Sequence, residues 1–525
     1  MLDYLIRGAT LLDGSGKPGY IADLGICGEK IAAIGQNLGD AARVIEGSGY
    51  CLSPGFLDIH RHGDAEVFRQ SFGELELRQG LTSIVNGACG LSLAPFGEAH
   101  RQALLRYLAP VTGSLDPRIP TDSMGSYLAA LAARPLPLNV GMMVGGGTVR
   151  TDIWGYAPGD PPEYGQIHRN LEQALSDGAL AVSLGLGYAP ECFYSTEGLI
   201  HALEPLRNSR IPICVHMREE GDMVCQAIAE MLQVAKALNC PLHISHLKAM
   251  GMRNWRRRIP QALALIDRAR EEGLRVSCDV YLYEAGSTQL LHLLPPDFLA
   301  GGVDAICARL RDPLQREILK GRIATGTDFD NIAQMIGWDN IILSSMQLPE
   351  HQALIGLTVN EAAERLAMEP VDCICHLLAE EQCAVTMIDR INCEEDILQI
   401  LAKPYSAVIS DATYPEKGLP HPRVYGTYAR LFERYVSKLQ VLSAEEAVRR
   451  ITSLPAGIMG LSQKGALQVG MDADLNLFRP EELKETGDFL NPRQYAQGMD
   501  TVFVMGKPVI YRGKRTEHTP GSILP

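Results

Sequence analysis

The sequence predicts an α/β protein, a (β/α)8 TIM-like barrel with a small β-sandwich domain formed by both chain ends. Three observations carry that expectation. The middle of the 525-residue chain alternates short apolar, β-rich runs with segments whose apolar residues recur at helical spacing. The two ends show only strands and turns. Finally, residues able to ligate a metal or move a proton stand at the ends of five of the apolar runs, where barrel enzymes carry their chemistry.

Residues 2 to 52 contain YLIRGATLLDG, ADLGICGEKIAAIG and ARVIEGSGYCLSPG, apolar alternation broken by Gly- and Asp-rich turns. From about residue 462 the pattern returns in KGALQVGMDADLNLFR and TVFVMGKPVIYRGKRT. Neither half is large enough for a stable sheet alone. The expectation is therefore one β domain from residues 1–54 and 455–525, with 55–454 as the barrel. In the barrel, GYCLSPGFLDIHRH is the first strand run. LTSIVNGACG, LNVGMMVGGG, GALAVSLGLG, IPICVHMREE, CPLHISHLKA, LRVSCDVYLY and SAVISDATYP bring the count to about eight. EGDMVCQAIAEMLQVAKAL and IPQALALIDRAREEG have helical periodicity, and strands separated by helices make parallel βαβ units. The alternation fails at about 289–346, which predicts a mostly helical insertion.

Composition narrows the partners. The net charge of −14, from 62 acidic against 48 basic residues, argues against binding nucleic acid or an anionic membrane. No run approaches the roughly 18 apolar residues of a membrane helix. MLDYLIRGATLLDG lacks the basic-then-apolar order of a signal peptide, so a cytoplasmic location is expected. The thirteen cysteines are scattered without CxxC pairs. In a reducing compartment any special one is a metal ligand or nucleophile rather than a disulfide partner. These patterns leave the oligomeric state open.

The strand-end residues are His60 and His62, Cys89, His216, His243 with His246, and Asp411. Singly, each has an ordinary reading: a buried histidine with a partner, an inert core thiol, a helix N-cap. Together they offer imidazole, thiolate and carboxylate, the ligands of a divalent zinc ion. Positions i and i+2 of a strand share a face, so His60 and His62 can reach one ion while Arg61 points the other way. By the same rule His243 faces away from His246 and is structural.

PGFLDIHRH, the late Asp411 and the tail GALQVGMDADLNLF resemble the amidohydrolase superfamily. NGACGLSLAP, HMREEGD, ISHLK, DVYLYEAGST and HPRVYGTYAR narrow the resemblance to the N-acyl-D-amino-acid deacylase (D-aminoacylase) family, across nearly the whole chain. The resemblance implies hydrolysis of a small N-acylated D-amino acid to a carboxylate and a free D-amino acid. It implies zinc held tightly by Cys89, His216 and His246. A second, weaker metal position would lie by His60, His62 and Asp411, with Cys89 as bridge. Asp411 would be the catalytic base and acid, and Lys248, Tyr281 and Arg423, with Ser287 nearby, would hold the substrate carboxylate. The chain departs from the family pattern at Arg61, where a small polar residue is usual. It departs again at Gly145-Gly146-Gly147-Thr148, where Gly-His-Gly-Thr is usual and the missing imidazole is expected to widen the pocket. The loop after Asp411 keeps only His421, Pro422 and Arg423 of a His-rich pattern. Lys417 or Gln289 near the substrate side chain would suit an acidic amino acid. Two other readings compete. One is a cyclic amidase of the hydantoinase or dihydroorotase type, which often bridges two metals with a carboxylated lysine; GALAVSLGLGYAP offers no such lysine. The other is a barrel scaffold without catalytic activity.

Overall fold

The apolar run around GYCLSPGFLD serves two different sheets. Cys51–Pro54 pairs antiparallel with Leu475–Phe478 and parallel with Leu2–Leu11, whereas Phe56–Asp58, one residue further on, pairs in parallel with Leu81–Asn86. The structure is a computed structural model that describes residues 1–415 and 417–525.

The chain ends form one nine-stranded sheet. Leu2–Leu11, Tyr20–Cys27, Lys30–Gly35, Ala41–Glu46 and Cys51–Pro54 come from the N-terminal side. Leu475–Phe478, Met499–Val504, Lys507–Tyr511 and Lys514–Arg515 come from the C-terminal side. Tyr4, Ile6, Leu24, Leu52, Leu475 and Phe503 share one apolar core, so each half buries its inward face against the other. The hydrogen-bonded path runs unbroken from Lys514–Arg515 to Lys30–Gly35.

The middle of the chain is a mixed α/β assembly of parallel strands. Ser406–Val408, Val276–Val280, Leu242–Ile244, Ile213–His216, Val182–Gly185 and Val144–Gly145 lie side by side in that order. Phe56–Asp58, Leu81–Asn86 and Asn139–Met142 form a second parallel sheet. Backbone bonds link the two sheets on both flanks. Met143 N donates to Asn86 O (2.9 Å) and Leu180 N to Met142 O (2.8 Å); on the other flank His62 N donates to Ala412 O (2.9 Å) and Asp411 N to His60 O (3.1 Å). Helix Val224–Leu238 turns Ala227, Ile228, Met231, Val234, Ala235 and Leu238 inward at 3.6-residue spacing and ends on left-handed Asn239. Arg258–Glu271 packs in the same way through Ile259, Ala262, Leu263 and Ile266.

The interruption is longer than the 289–346 read from the sequence, and it is not only helical. It begins at the strand Gly286–Gln289 and carries helices Gly302–Arg311, Pro313–Thr325, Val359–Leu366 and Pro370–Glu380. Its last strand, Thr386–Asp389, pairs antiparallel with Gly286–Gln289 and Ile341–Ser345. A helical reading misses these strands because Gly286–Gln289 is short and largely polar, so it lacks the apolar run that marks a strand. No helix among the described residues is long and apolar enough to cross a membrane.

Candidate metal centre

Six side chains from five strand ends converge, all of them buried. Cys89 Sγ lies 3.2 Å from His60 Nε2 and 3.4 Å from His246 Nε2, and His216 Nδ1 lies 3.2 Å from His246 Nε2. Asp411 Oδ1 is 3.5 Å from His60 Nε2 and 3.4 Å from His62 Nε2. Three overlapping sets can each hold a metal ion: His60, His62 and Cys89; Cys89, His216 and His246; His60, His246 and Asp411. Zinc bonded to nitrogen at about 2.1 Å and sulfur at about 2.3 Å sets tetrahedral ligand atoms roughly 3.3 to 3.6 Å apart. The observed spacings fit that geometry.

The electrostatics fit as well. Burial holds the imidazoles of His216 and His246 well below the usual histidine range, so both are neutral with a lone pair to give. His60 is lowered for the same reason. Burial, with Asp411 and Glu220 nearby, pushes the Cys89 thiol far up, which a bound cation would reverse. For Asp411, burial acts to raise the carboxyl, but Arg423 and the histidines outweigh it and hold the group well below its ordinary value.

The backbone around this centre is strained. Cys89 (φ 54°), His246 (φ 36°) and Asp411 (φ 50°) are all left-handed. Such residues cost on the order of 1–3 kcal/mol each and persist where neighbours over-determine them. Here Asp279 Oδ1 accepts from His246 N, and Asp411 N bonds to His60 O. Gly185 makes room for the Cys89 loop, since a Cβ there would sit 2.1 Å from the Cys89 carbonyl oxygen.

Two carboxylates behind the ligands were not singled out from the sequence. Glu220 Oε1 accepts from His246 Nδ1 (3.0 Å), directing Nε2 to the centre, while Glu220 Oε2 pairs with Lys248 (2.7 Å). Asp279 Oδ2 bonds His243 Nε2 (2.7 Å) and lies 3.8 Å from His60 Nδ1. His243 does not line the cavity and connects to the centre through Asp279. Glu220 lies inside the quoted HMREEGD stretch, but sequence spacing does not reveal which of its acids turns inward.

His62, Cys89, His216, His246 and Asp411 line one cavity with Lys248, Tyr281, Ser287 and Arg423. Arg423 pairs with Asp411 Oδ2 (2.9 Å), donates to the Ser287 carbonyl (3.2 Å) and lies over the Tyr281 ring. Its Nε and Nη1, and Tyr281 Oη, are buried without a hydrogen-bond partner. On residues that line the cavity beside the ligand cluster, these donors are free to bond a ligand. Lys248 is largely committed to Glu220. Ser287 takes part in the Arg423 contact through its backbone oxygen.

Three expectations change. Lys417 donates to the Gln347 carbonyl at the surface and Gln289 to the Tyr107 carbonyl, and neither lines the cavity. Gly146 does not widen the pocket, because a Cβ there would meet Glu191 Oε1 at 2.7 Å and Leu184 at 2.8 Å. Arg61 gains a role: it is fully buried behind the centre, donating to Asp58 Oδ2 (3.0 Å), Glu76 Oε1 (2.8 Å) and Tyr414 Oη. His292 and Tyr188, also in the cavity wall, were not foreseen. Burial lowers His292 to about 4.

Parallel strands whose ends gather histidines, a cysteine and an aspartate define the class of amidohydrolases, and residues 402–510 match the amidohydrolase family model. The chain is 33% identical to D-aminoacylase of Alcaligenes xylosoxydans xylosoxydans over 99% of this chain and 97% of that protein. It is 32% identical to N-acyl-D-aspartate deacylase of the same organism over 99% and 95%. The crystal structure of N-acyl-D-glutamate deacylase from Bordetella bronchiseptica, solved with zinc and a phosphonate mimic of the tetrahedral intermediate, superposes with a TM-score of 0.84 at 28% identity, covering 100% of this chain and 99% of that one. The chain belongs to the N-acyl-D-amino-acid deacylase family of amidohydrolases. A D-hydantoinase structure shares the fold alone, with a TM-score of 0.57 at 17% identity over 100% of this chain and 98% of that one.

Proposed function

We propose that this protein is a zinc-dependent N-acyl-D-amino-acid deacylase. In this reading the parallel strands close as a (β/α)8 barrel, supported by the backbone bonds at both sheet flanks. Residues 1–54 and 455–525 form the small β domain, a sandwich in which the nine-stranded sheet folds over its common core. Cys89, His216 and His246 would hold zinc tightly, and His60, His62 and Asp411 would line a second, weaker position beside Cys89. Bound there, zinc would supply Lewis acidity toward an amide carbonyl and a water.

The protein's own groups do the rest. Asp411, kept ionised by Arg423, accepts the proton of the attacking water and returns it to the departing amine nitrogen. The free donors of Arg423 and Tyr281 hold the substrate's α-carboxylate, and Lys248 adds positive charge beside them. That grip sets the scissile amide against the ligand cluster, and orientation of this kind lowers a barrier by several kcal/mol. The D preference and the choice of zinc rest on the family.

The observation that carries this reading is the pairing, in one cavity, of a ligand cluster with the orphaned N–H and O–H donors of Arg423 and Tyr281, which suit a carboxylate. A hydantoin ring carries no free α-carboxylate to clamp, and a scaffold has no need of strained, converging ligands. Amine release from N-acetyl-D- and N-acetyl-L-amino acids tests the proposal. Turnover of the D series alone is expected; hydrolysis confined to hydantoin rings contradicts it.

A further inference from the structure

One acid in the cavity has no task in that mechanism. Asp389 ends the strand Thr386–Asp389, directly opposite Gly286, and is 2% exposed. Its Oδ1 is buried with no hydrogen-bond partner. Lys248 is engaged with Glu220 at 2.7 Å and Arg423 with Asp411 at 2.9 Å, and no ion pair joins either of them to Asp389. Gly286 keeps the carboxylate open to the cavity, since a Cβ there would stand 2.9 Å from Asp389 Oδ1 and 2.9 Å from Ile391 Cδ1. Ile391 stands next to it, and Leu91 and Met250 add further apolar lining to the same cavity.

We propose that Asp389 selects the side chain of the substrate, favouring N-acyl-D-amino acids with a cationic side chain and disfavouring acidic ones. The inference rests on the deacylase reading and adds the substrate class. An unpaired buried carboxylate is costly, and a guanidinium or ammonium brought by the substrate would supply the missing partner. Burial raises the Asp389 carboxyl to about 6 against the opposing pull of Lys248 and Arg423, so those two cations act on it from nearby while its Oδ1 stays without a bonding partner. The methylene stem of a lysine or arginine side chain suits the apolar wall. An acidic side chain would set like charges together with no water between them.

The test compares N-acetyl-D-arginine, N-acetyl-D-leucine and N-acetyl-D-glutamate on the zinc-loaded wild type and on Asp389→Asn. The wild type is expected to favour arginine over glutamate by about 100-fold or more in kcat/KM, and the variant to lose about 10- to 100-fold on arginine, far more than on leucine. Inhibition of the wild type by free D-arginine and D-glutamate gives an independent reading that needs no variant; D-arginine is expected to bind more tightly. An active enzyme that takes glutamate as well as arginine, or a variant that loses equally on all three substrates, overturns the role of Asp389 and leaves the deacylase reading standing. A zinc-loaded protein inactive on every N-acyl-D-amino acid overturns both.

Discussion

His60 and Arg61 are neighbours in the chain, yet they sit in two polar regions of opposite character. Behind the strand end, Arg61 is surrounded by Asp58, Glu76, Ser410 and Tyr414, and these groups also bond one another: Ser410 Oγ donates to Asp58 (2.5 Å) and Tyr414 Oη to Glu76 (3.0 Å). Only Arg61 Nε and one oxygen of Glu76 are left over. In front, the histidines face other metal-ligand atoms rather than complementary partners, the backbone is left-handed at three residues, and Arg423, Tyr281 and Asp389 hold free polar atoms. Both regions are equally buried. A closed network holds the first and last parallel strands together; an open one is finished only by a metal and a substrate. Burial of charge therefore does not distinguish structure from function here, but free polar atoms on residues that line one cavity do.

Substitutions should separate the two regions. The largest effect belongs to Asp411→Asn, which should lower kcat by about 10³-fold or more while elemental analysis still finds the metal. Retained turnover would remove Asp411 as the proton carrier. Arg61→Ala should destabilise the fold by about 3–5 kcal/mol in denaturant titration, because it leaves Asp58 and Glu76 as unpaired buried anions. If it instead lost metal with stability intact, the closed network would have been misread. Arg423→Ala should cut kcat/KM about 10- to 100-fold on substrates with a free α-carboxylate, and less on their esters. An equal loss on both would argue that Arg423 serves only Asp411.

The smallest effect concerns pH. Burial raises Glu191 to about 8, so its folded state favours the protonated form. That stabilisation is complete below the ordinary carboxylate range and fades as pH rises toward 8. Glu191→Gln, which stays neutral, should gain thermal stability relative to the wild type between pH 5 and 8. A constant difference in Tm across that window would show that Glu191 is ionised throughout.

Much of the centre was legible in the sequence because its ligands follow strand runs, and strand periodicity assigns side chains to faces. His60, His62 and Arg61 divided as alternation predicts, although the strand ends at Asp58 and only an isolated bridge at Arg61 extends it. The partners of those ligands were hidden. Glu220 and Asp279 act through contacts between different strands, and Asp389 comes from an antiparallel strand whose short run carries no helical or alternating signature. Arg61 could not be explained from its own segment because Glu76 and Tyr414 lie 15 and 353 residues away. Gly146 misled because an absent side chain suggests space, while Glu191 fills that space from another segment.

The most direct test of the account is a zinc titration of metal-free protein, with amine release from N-acetyl-D- and N-acetyl-L-amino acids followed at each step. No turnover is expected without metal, and activity on D substrates should rise as zinc is added but not in His216→Ala. Hydrolysis by the metal-free protein, or the same zinc response in His216→Ala, would contradict it.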